Sequence, residues 1–212
     1  MQNIFYIKQS TLDAMLILAA KKDIRYYLNG LHIEYSPEFT RVVACDGHKL
    51  GIFQAAAENI GMGALTIPRE VIEGLPKKCH ILTFSQIDAN LWQIDTGAAV
   101  IKFAPCDSKY PDFRRVVNQA DKTSGEAAGF NLTYLNEFEK AGNLLAGSKL
   151  KVGNRVRIHH NGQNGAMITL NGVQDFAGVL MPLRDSVGSS GALFPAELIS
   201  PIIDFNDQQK AA

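Results

Sequence analysis

The stretch TRVVACDGHKLGIFQ, residues 40–54, carries the pattern that decides the fold. Its first part, residues 40–45, is rich in the β-branched side chains that strands favour. Asp46-Gly47-His48 follows as a turn, and residues 49–54 continue as a further strand. The sequence therefore predicts a β-hairpin at this point.

The segments that precede the hairpin complete a larger unit. Residues 31–35 alternate between apolar and polar side chains, as a half-buried strand does. Ser10 and Asp13 have the spacing of a capping box, which predicts a helix N-terminus at Ser10. Apolar residues then recur at helical spacing, namely Leu12, Met15, Leu16 and Ala19. With a short strand at residues 4–7, the unit has the order βαβββ.

The same order of elements recurs twice more along the chain. In the second copy, Pro68 opens a short helix and Gly74 ends it. Its strands are expected at residues 64–67, 79–85, 91–95 and 98–104. In the third copy, Asn131 caps the helix, and the strands are expected near residues 127–130 and at 155–159, 166–170 and 174–181. The pattern predicts an α+β fold of repeated βαβββ units, with helices on one side of antiparallel sheets.

The repeats also divide the chain. Residues 1–118 are expected to form one domain of two repeats, residues 119–185 a third, unpaired repeat, and residues 186–212 a flexible C-terminal tail. The polar segment 118–126 is expected to be a linker. An unpaired repeat exposes a strand edge and a helix face. The chain is therefore expected to form a homo-oligomer.

Composition narrows the functional class. The chain has 212 residues, with 21 Lys and Arg against 21 Asp and Glu, so bulk charge excludes a strongly basic nucleic-acid binder but allows one basic face. No apolar run is long enough for a membrane span, and the first residues show no secretory signal. Three widely spaced cysteines are typical of reduced thiols, so the expected location is cytoplasmic.

Neither catalysis nor metal binding is favoured by the residues. Cys45 and His48 could form a nucleophile–base pair, as in a small hydrolase, but no further triad element accompanies them. The candidate zinc ligands have spacings that match no common site: Cys45, His48, Cys79, His80, Cys106, His159 and His160. No catalytic residue, metal or cofactor is expected.

Four motifs, in order, resemble the bacterial DNA polymerase III β sliding clamp. They are DIRYYLNG (23–30), VACDGHKL (43–50), KYPDFRRV (109–116) and VLMPLR (179–184). The first three correspond to the middle domain of that family, and the fourth to the closing half of its third domain. The resemblance implies the DNA-clamp fold in a shortened form, lacking the first domain and the first half of the third. A ring of twelve repeats would need four such chains, whereas pairing of the third repeat across a two-fold axis would give a dimer.

The resemblance implies a function in DNA replication without enzymatic activity. The expected function is a processivity factor that encircles duplex DNA without sequence preference and tethers DNA polymerase or repair proteins through a peptide pocket. A clamp loader would open the ring, and no membrane partner is implied. The alternative is a clamp-like decoy or adaptor that binds the same peptides without encircling DNA.

Site residues are implied by the same motifs. The peptide pocket would be lined by Leu28, Cys45, Gly47, His48, Lys49, Leu50, Pro111, Arg115, Val116, Val179, Leu180, Met181, Pro182, Leu183 and Arg184. DNA would be contacted by Arg25, Tyr26 and Tyr27, with Lys21 and Lys22 nearby, although buried tyrosines are an equal alternative. Leu193-Phe194 in the tail is similar to the peptides such a pocket binds, so the tail is a candidate to dock in its own or a neighbour's pocket.

Overall fold

The first repeat forms as the sequence predicts. A computed structural model describes residues 3–77, 80–120, 128–147 and 155–184. The elements of this repeat are β1 (Ile4–Lys8), α1 (Gln9–Leu16), β2 (Gly30–Ser36), β3 (Phe39–Cys45) and β4 (Lys49–Ala56). A single 3-10 turn, Tyr26–Leu28, precedes β2.

The second and third repeats follow with one helix between them. The second contains β5 (Gly63–Pro68), α2 (Arg69–Glu73), β6 (Ile81–Asp88), β7 (Leu91–Asp95) and β8 (Val100–Phe103). The third contains α4 (Leu132–Leu145), β9 (Val156–His159), β10 (Ala166–Leu170) and β11 (Val173–Leu180). The intervening helix is α3 (Phe113–Ala120), so the expected domain boundary at residue 118 falls within a helix.

The first two repeats exchange their opening strands. The smaller sheet has the order β1-β6-β7-β8, and the larger has the order β5-β2-β3-β4-β11-β10-β9. All ladders within these two sheets are antiparallel. The predicted α+β class with repeated units is confirmed.

Helix α3 contacts β10 and β11 from one face of the larger sheet, whereas α1 and α4 cover the other face, as expected for a helix side. On this second face, α1 packs against β2, β3 and β4, while α4 packs against β9, β10 and β11. The two helices also contact each other, and Leu12, Met15 and Phe138 are fully buried in the shared core. The opposite face of the same sheet carries the alternate residues of each strand. No helix in these described ranges is long and apolar enough to cross a membrane.

The third repeat, for which no partner repeat is expected, is joined to the first repeat through the larger sheet. Strand β11 pairs with β4 in the register Gly178–Gly51, which joins the third repeat to the first. A Cβ atom on Gly178 would lie 2.7 Å from Phe138 Cε1, and one on Gly51 would lie 2.5 Å from Leu18 Cδ1. The paired glycines therefore let the core side chains of both repeats approach the seam between β4 and β11.

The opening strand expected near residues 127–130 is not observed at residues 128–130. In the first two repeats the opening strand pairs with the sheet of the other repeat. The described residues contain no fourth repeat with which the third could make that exchange. The tail, residues 186–212, lies outside the described residues, as does most of the expected linker.

Helix ends differ from the prediction in two places. Lys8, not Ser10, is the N-cap of α1, because β1 runs directly into the helix. Leu132, an apolar residue that helical spacing would place on the buried face of α4, is 78% exposed. Asn131 caps α4 as predicted, since its side chain accepts a hydrogen bond from the backbone N–H of Thr133 at 2.9 Å.

Candidate binding cleft

The turn between β3 and β4 is organised by a single carboxylate. Asp46 Oδ1 accepts hydrogen bonds from the backbone N–H groups of His48 and Lys49, both at 2.8 Å. Gly47 has φ of +92°, a conformation that favours glycine. The N–H of Gly47 also donates to Cys45 Sγ at 3.3 Å. The hairpin thus holds His48 outward in an exposed position.

The end of β11 lies along this hairpin. Val179 pairs with Leu50 and Leu180 with Lys49, and the N–H of Met181 then donates to the carbonyl oxygen of His48 at 2.9 Å. Because side chains alternate along a strand, Val179 and Met181 point to the opposite side from Leu180. Two segments from the first and third repeats therefore form one wall.

The segment that leads into α3 forms the facing wall. Arg114 of α3 donates to both carboxylate oxygens of Glu34 on β2, at 2.9 and 2.7 Å. The same carboxylate accepts from Arg41 at 2.6 Å. The ring of Tyr110 stacks on His32 with a centroid distance of 4.6 Å. These contacts fasten α3 and the preceding residues to the outer face of the larger sheet.

Between the two walls is a largely apolar cleft of about 270 Å³. Its lining residues are Arg25, Tyr27, Leu28, Cys45, Gly47, His48, Lys49, Leu50, Tyr110, Pro111, Asp112, Phe113, Val116, Val179 and Met181. A concave apolar site with a few polar groups at its margin suits a side chain of a peptide or another small apolar group.

Most of the residues expected in the pocket lie in this cleft, and five do not. Leu180 is fully buried on the opposite face of β11. Arg115 is exposed on α3 and does not line the cleft. Pro182, Leu183 and Arg184 lie past the end of the wall, because the N–H of Leu183 donates to the carbonyl oxygen of Gly129 at 2.8 Å and directs the chain toward the start of α4.

Sequence reasoning missed three residues of the cleft. Tyr110, Asp112 and Phe113 line it, although they belong to the motif at 109–116 that supplied Pro111 and Val116. Their position beside Pro111 and Val116 in that motif is the signal that could have identified them as lining residues. Phe113 lies on the buried face of α3, which the sequence did not predict as a helix.

Lys49 does not offer its charge to the cleft. Its ammonium group pairs with Asp46 and, at 2.8 Å, with Glu137 of α4. It also lies 4.7 Å from the centroid of the Tyr134 ring. Burial alone would lower the pKa of Lys49, but the contacts that its ammonium group makes with the carboxylates of Asp46 and Glu137 outweigh burial, so the pKa is raised. His48 stacks on the same Tyr134 ring.

The cleft does not have the chemistry of a thiol enzyme. Burial raises the pKa of Cys45, whereas a nucleophilic cysteine needs a lowered pKa. No group of three or more His, Cys, Asp and Glu side chains that could hold a metal ion occurs within the described ranges. Of the proposed zinc ligands, Cys79 lies outside those ranges.

The residues expected to contact DNA separate into two groups. Arg25 and Tyr27 line the cleft, and Arg25 is paired with Asp23 at 2.8 Å. That hydrogen-bonded guanidinium holds the pKa of Asp23 at about 2. Lys21 and Lys22 are exposed on the loop that precedes the 3-10 turn, and Tyr26, the first residue of that turn, is exposed as well.

The helices themselves carry few exposed basic residues, whereas Lys21, Lys22 and Lys77 are exposed on the segments that follow α1 and α2. On α1, α2 and α4, the exposed charged residues are Asp13, Glu70, Glu73 and Lys140. Arg69, the first residue of α2, is directed at the backbone at the end of α1. It donates to the carbonyl oxygens of Leu16, Ala19 and Ala20 at 2.9 to 3.1 Å.

Comparisons with known proteins support the resemblance. No family model matches the sequence. The chain is 30% identical over 125 residues to the beta sliding clamp of Proteus mirabilis, a match that covers 53% of this chain and 33% of that protein. It is 28% identical over 159 residues to the beta sliding clamp of Vibrio cholerae, covering 72% of this chain and 41% of that protein. The chain spans about a third of the length of the first curated relatives it matches.

Solved structures give the same result for the fold. A DNA polymerase sliding clamp from Pseudomonas aeruginosa superposes with a TM-score of 0.63 at 20% identity, over 86% of this chain and 67% of that one. The DNA polymerase III beta subunit of Thermotoga maritima gives a TM-score of 0.59 at 15% identity, over 87% of this chain and 66% of that one. The predicted similarity to the sliding clamp, in sequence and in fold, is confirmed.

Proposed function

We propose that this chain, similar in sequence and fold to bacterial β sliding clamps, is a clamp-like processivity factor that holds peptide segments of DNA polymerase or repair proteins. The observation that carries the proposal is the contact between Met181 and His48, which closes one wall of the cleft from two different repeats. Because the lining is largely apolar, burying an aliphatic or aromatic side chain of the peptide in the cleft would favour binding. The function is one of binding, without a chemical step.

A peptide titration tests the cleft. The probe is a fluorescein-labelled peptide, Gly-Ala-Leu-Phe-Pro, which copies residues 191–195 and offers Leu and Phe anchors. Met181→Lys would place a charge in the apolar lining, so we expect the dissociation constant to rise at least about ten-fold. Met62→Lys is the matched control, because Met62 is 72% exposed and lies outside the cleft. Equal binding by both variants would refute the cleft as the binding site.

Association of several chains would supply a ring. Among the described residues, β8 lies at one end of the smaller sheet and β9 at one end of the larger sheet. Val100 on β8 is 56% exposed and Ile158 on β9 is 36% exposed. Exposed strand edges of this kind can pair with another chain. Light scattering during gel filtration should give the mass of two to four chains, and a stable monomer at the highest concentration reached would refute self-association.

Retention on circular DNA tests whether the assembly encircles the duplex. A closed ring should remain on nicked circular DNA through gel filtration and should be lost when one cut makes the DNA linear. Equal loss from both forms would exclude encirclement. Binding to both forms that weakens steeply with salt would indicate ordinary phosphate contact instead.

A second function, that of an adaptor without a ring, is favoured by one observation. The exposed charges on α1, α2 and α4 are three carboxylates and one amine in the described residues. Helices with mainly acidic exposed side chains attract a phosphate backbone less than helices with basic side chains would. An adaptor would bind the Leu-Phe peptide with normal affinity and show no retention on circular DNA, so the same two experiments separate the two functions.

A further inference from the structure

One edge of the larger sheet is open at the third repeat. Strand β9 ends that sheet, and no strand of the described residues pairs with its outer side. The corresponding strands of the other two repeats, β2 and β6, are covered by β5 and β1 respectively. Burial reflects the difference, since Arg157 and Ile158 in the middle of β9 are both exposed. An edge of this kind presents backbone N–H and C=O groups that another strand can pair with.

In the first two repeats, the covering strand comes from the other repeat. Strand β1 leaves the first repeat to pair with β6 of the second, while β5 leaves the second to pair with β2 of the first. In both ladders, the N-cap residue of the helix lies opposite the first residue of the covered strand. The two pairs are Lys8 with Ile81 and Pro68 with Gly30. The repeats therefore complete each other by a reciprocal exchange of strands in one register.

The third repeat has the same kind of opening segment, although residues 128–130 do not form a strand. Asn131 is the N-cap of α4, so Phe130 holds the position that Ile7 and Ile67 hold before the other two helices. Ile7 and Ile67 are buried in the core, whereas Phe130 is only half-buried. Phe130 therefore keeps apolar surface that a completed domain would bury.

The opening segment is already fastened as it is in the second repeat. There, the N–H of Cys106 donates to the carbonyl oxygen of Thr66 at 2.9 Å, three residues before α2 begins. The N–H of Leu183 donates to the carbonyl oxygen of Gly129 at 2.8 Å, again three residues before the helix. Thr66 nevertheless lies opposite His32 in the ladder between β5 and β2. The contact at Gly129 is thus compatible with the same kind of strand pairing.

We infer that a second copy of this chain covers β9, with residues 128–131 of each copy antiparallel to β9 of the other. The contact is two-fold and isologous, so that two third repeats form one complete domain. The register of the other exchanges places Asn131 opposite Val156 of the partner subunit and Gly129 opposite Ile158 of the partner subunit. Phe130 of each copy enters the core of the other. The interface goes beyond the proposed peptide binding, and it leaves β8 free for the further contact that a ring requires.

Cross-linking between two cysteine variants tests the register. Gly129→Cys and Ile158→Cys chains, one of them tagged so that their masses differ, are mixed, oxidised and separated by electrophoresis without reductant. Opposite residues of antiparallel strands have Cα atoms about 4.5–5.5 Å apart, which is within disulfide range. The fold should tolerate Gly129→Cys, because a Cβ atom there would meet only Leu183 Cδ1 at 3.6 Å. We expect at least about ten-fold more mixed-chain disulfide than with Arg157→Cys, the matched control, whose side chain lies on the opposite face of β9.

Light scattering tests the role of Phe130 in the same interface. Phe130→Asp would place a charge in the shared core, so we expect the dissociation constant of the dimer to rise at least about ten-fold. Ile24→Asp is the control, because Ile24 is 97% exposed on the loop before the 3-10 turn. Equal dissociation constants for the two variants would contradict the exchange. The cross-linking result does not depend on whether Phe130→Asp folds.

Other occupants of the edge give different results. Pairing of β9 with β8 of another copy would cross-link Ile158→Cys to Val100→Cys instead, which would overturn the inference. A disulfide between positions 129 and 158 that forms only after residues 186–212 are deleted would show that the tail covers β9, which also overturns it. So would a monomeric mass at the highest concentration reached. The peptide titration is a separate measurement, so failure of this interface is distinguishable from failure of peptide binding.

Discussion

The ammonium group of Lys49 lies 2.8 Å from a carboxylate oxygen of Glu137, which joins the hairpin of the first repeat to the helix of the third. The Lys49 side chain is 3% exposed, so its charge depends on the two carboxylates around it, Asp46 and Glu137. The same hairpin presents His48 to the cleft. The shape of the cleft is therefore tied to the position of α4.

Replacing Glu137 should destabilise the fold through Lys49. Glu137→Leu removes one of two counter-charges from a buried amine, which we expect to cost about 1.5–3 kcal/mol in the free energy of unfolding. Urea denaturation measures this loss. The double variant Lys49→Met/Glu137→Leu should regain most of it, since a buried ion pair replaced by apolar groups is often neutral in stability. A double variant less stable than Glu137→Leu would contradict this account.

The seam between β4 and β11 should not tolerate a side chain at Gly178. A Cβ atom there would lie 2.7 Å from Phe138 Cε1 and 3.2 Å from the carbonyl oxygen of Leu50. Gly178→Ala should lower the free energy of unfolding by about 1–3 kcal/mol, as overpacking does. Gly129→Ala is the control, because its Cβ would meet only Leu183 Cδ1 at 3.6 Å. Equal stability of the two variants in urea would show that the seam can open without cost.

Stability should fall in mild acid because of His32. Burial lowers the pKa of His32 from its ordinary value of 6.5, with Arg114 lowering it further and Glu34 opposing the change. A histidine with a lowered pKa in the folded state stabilises fully above 6.5, and this contribution is lost as the pH falls from 6.5 through the folded pKa. The free energy of unfolding should therefore drop between about pH 7.5 and about pH 5.5 more in the wild-type chain than in His32→Gln. Parallel curves for the two proteins would exclude His32 as the cause.

Arg69 should stabilise the end of α1, and replacing it should leave the affinity for DNA unchanged. Its guanidinium donates to three carbonyl oxygens, of the last residue of that helix and of two residues that follow it, and pairs with Glu73 at 3.0 Å. Arg69→Met should cost about 2 kcal/mol in thermal or urea unfolding, the range for hydrogen bonds from a charged group. Lys77→Met, at an exposed position, should cost little. A weaker affinity for duplex DNA in Arg69→Met with unchanged stability would reverse this assignment.

The local elements were predictable because their signals are local. Strands β7 and β10 form at the residues that alternation indicated, and Asn131 caps α4 as its side chain chemistry requires. Ser10 failed as a cap because β1 enters α1 without a turn, a connection that a four-residue capping pattern does not specify. Most of the cleft was predictable from the motifs, while Tyr110, Asp112 and Phe113 were missed because helix α3, which begins at Phe113, was not recognised.

By itself, the sequence determined the repeat, the hairpin at Asp46 and the motifs that resemble the sliding clamp, since each depends on neighbours within a few residues. Only the tertiary structure decided that β11 pairs with β4, that Leu180 points into the core, and that the charges of Lys49 and Arg69 are taken up inside the fold. These outcomes depend on which distant groups meet. The pairing of strands and the burial of charge are settled by the packing of the whole chain, because an edge or an ion is stable only beside the partner that covers it.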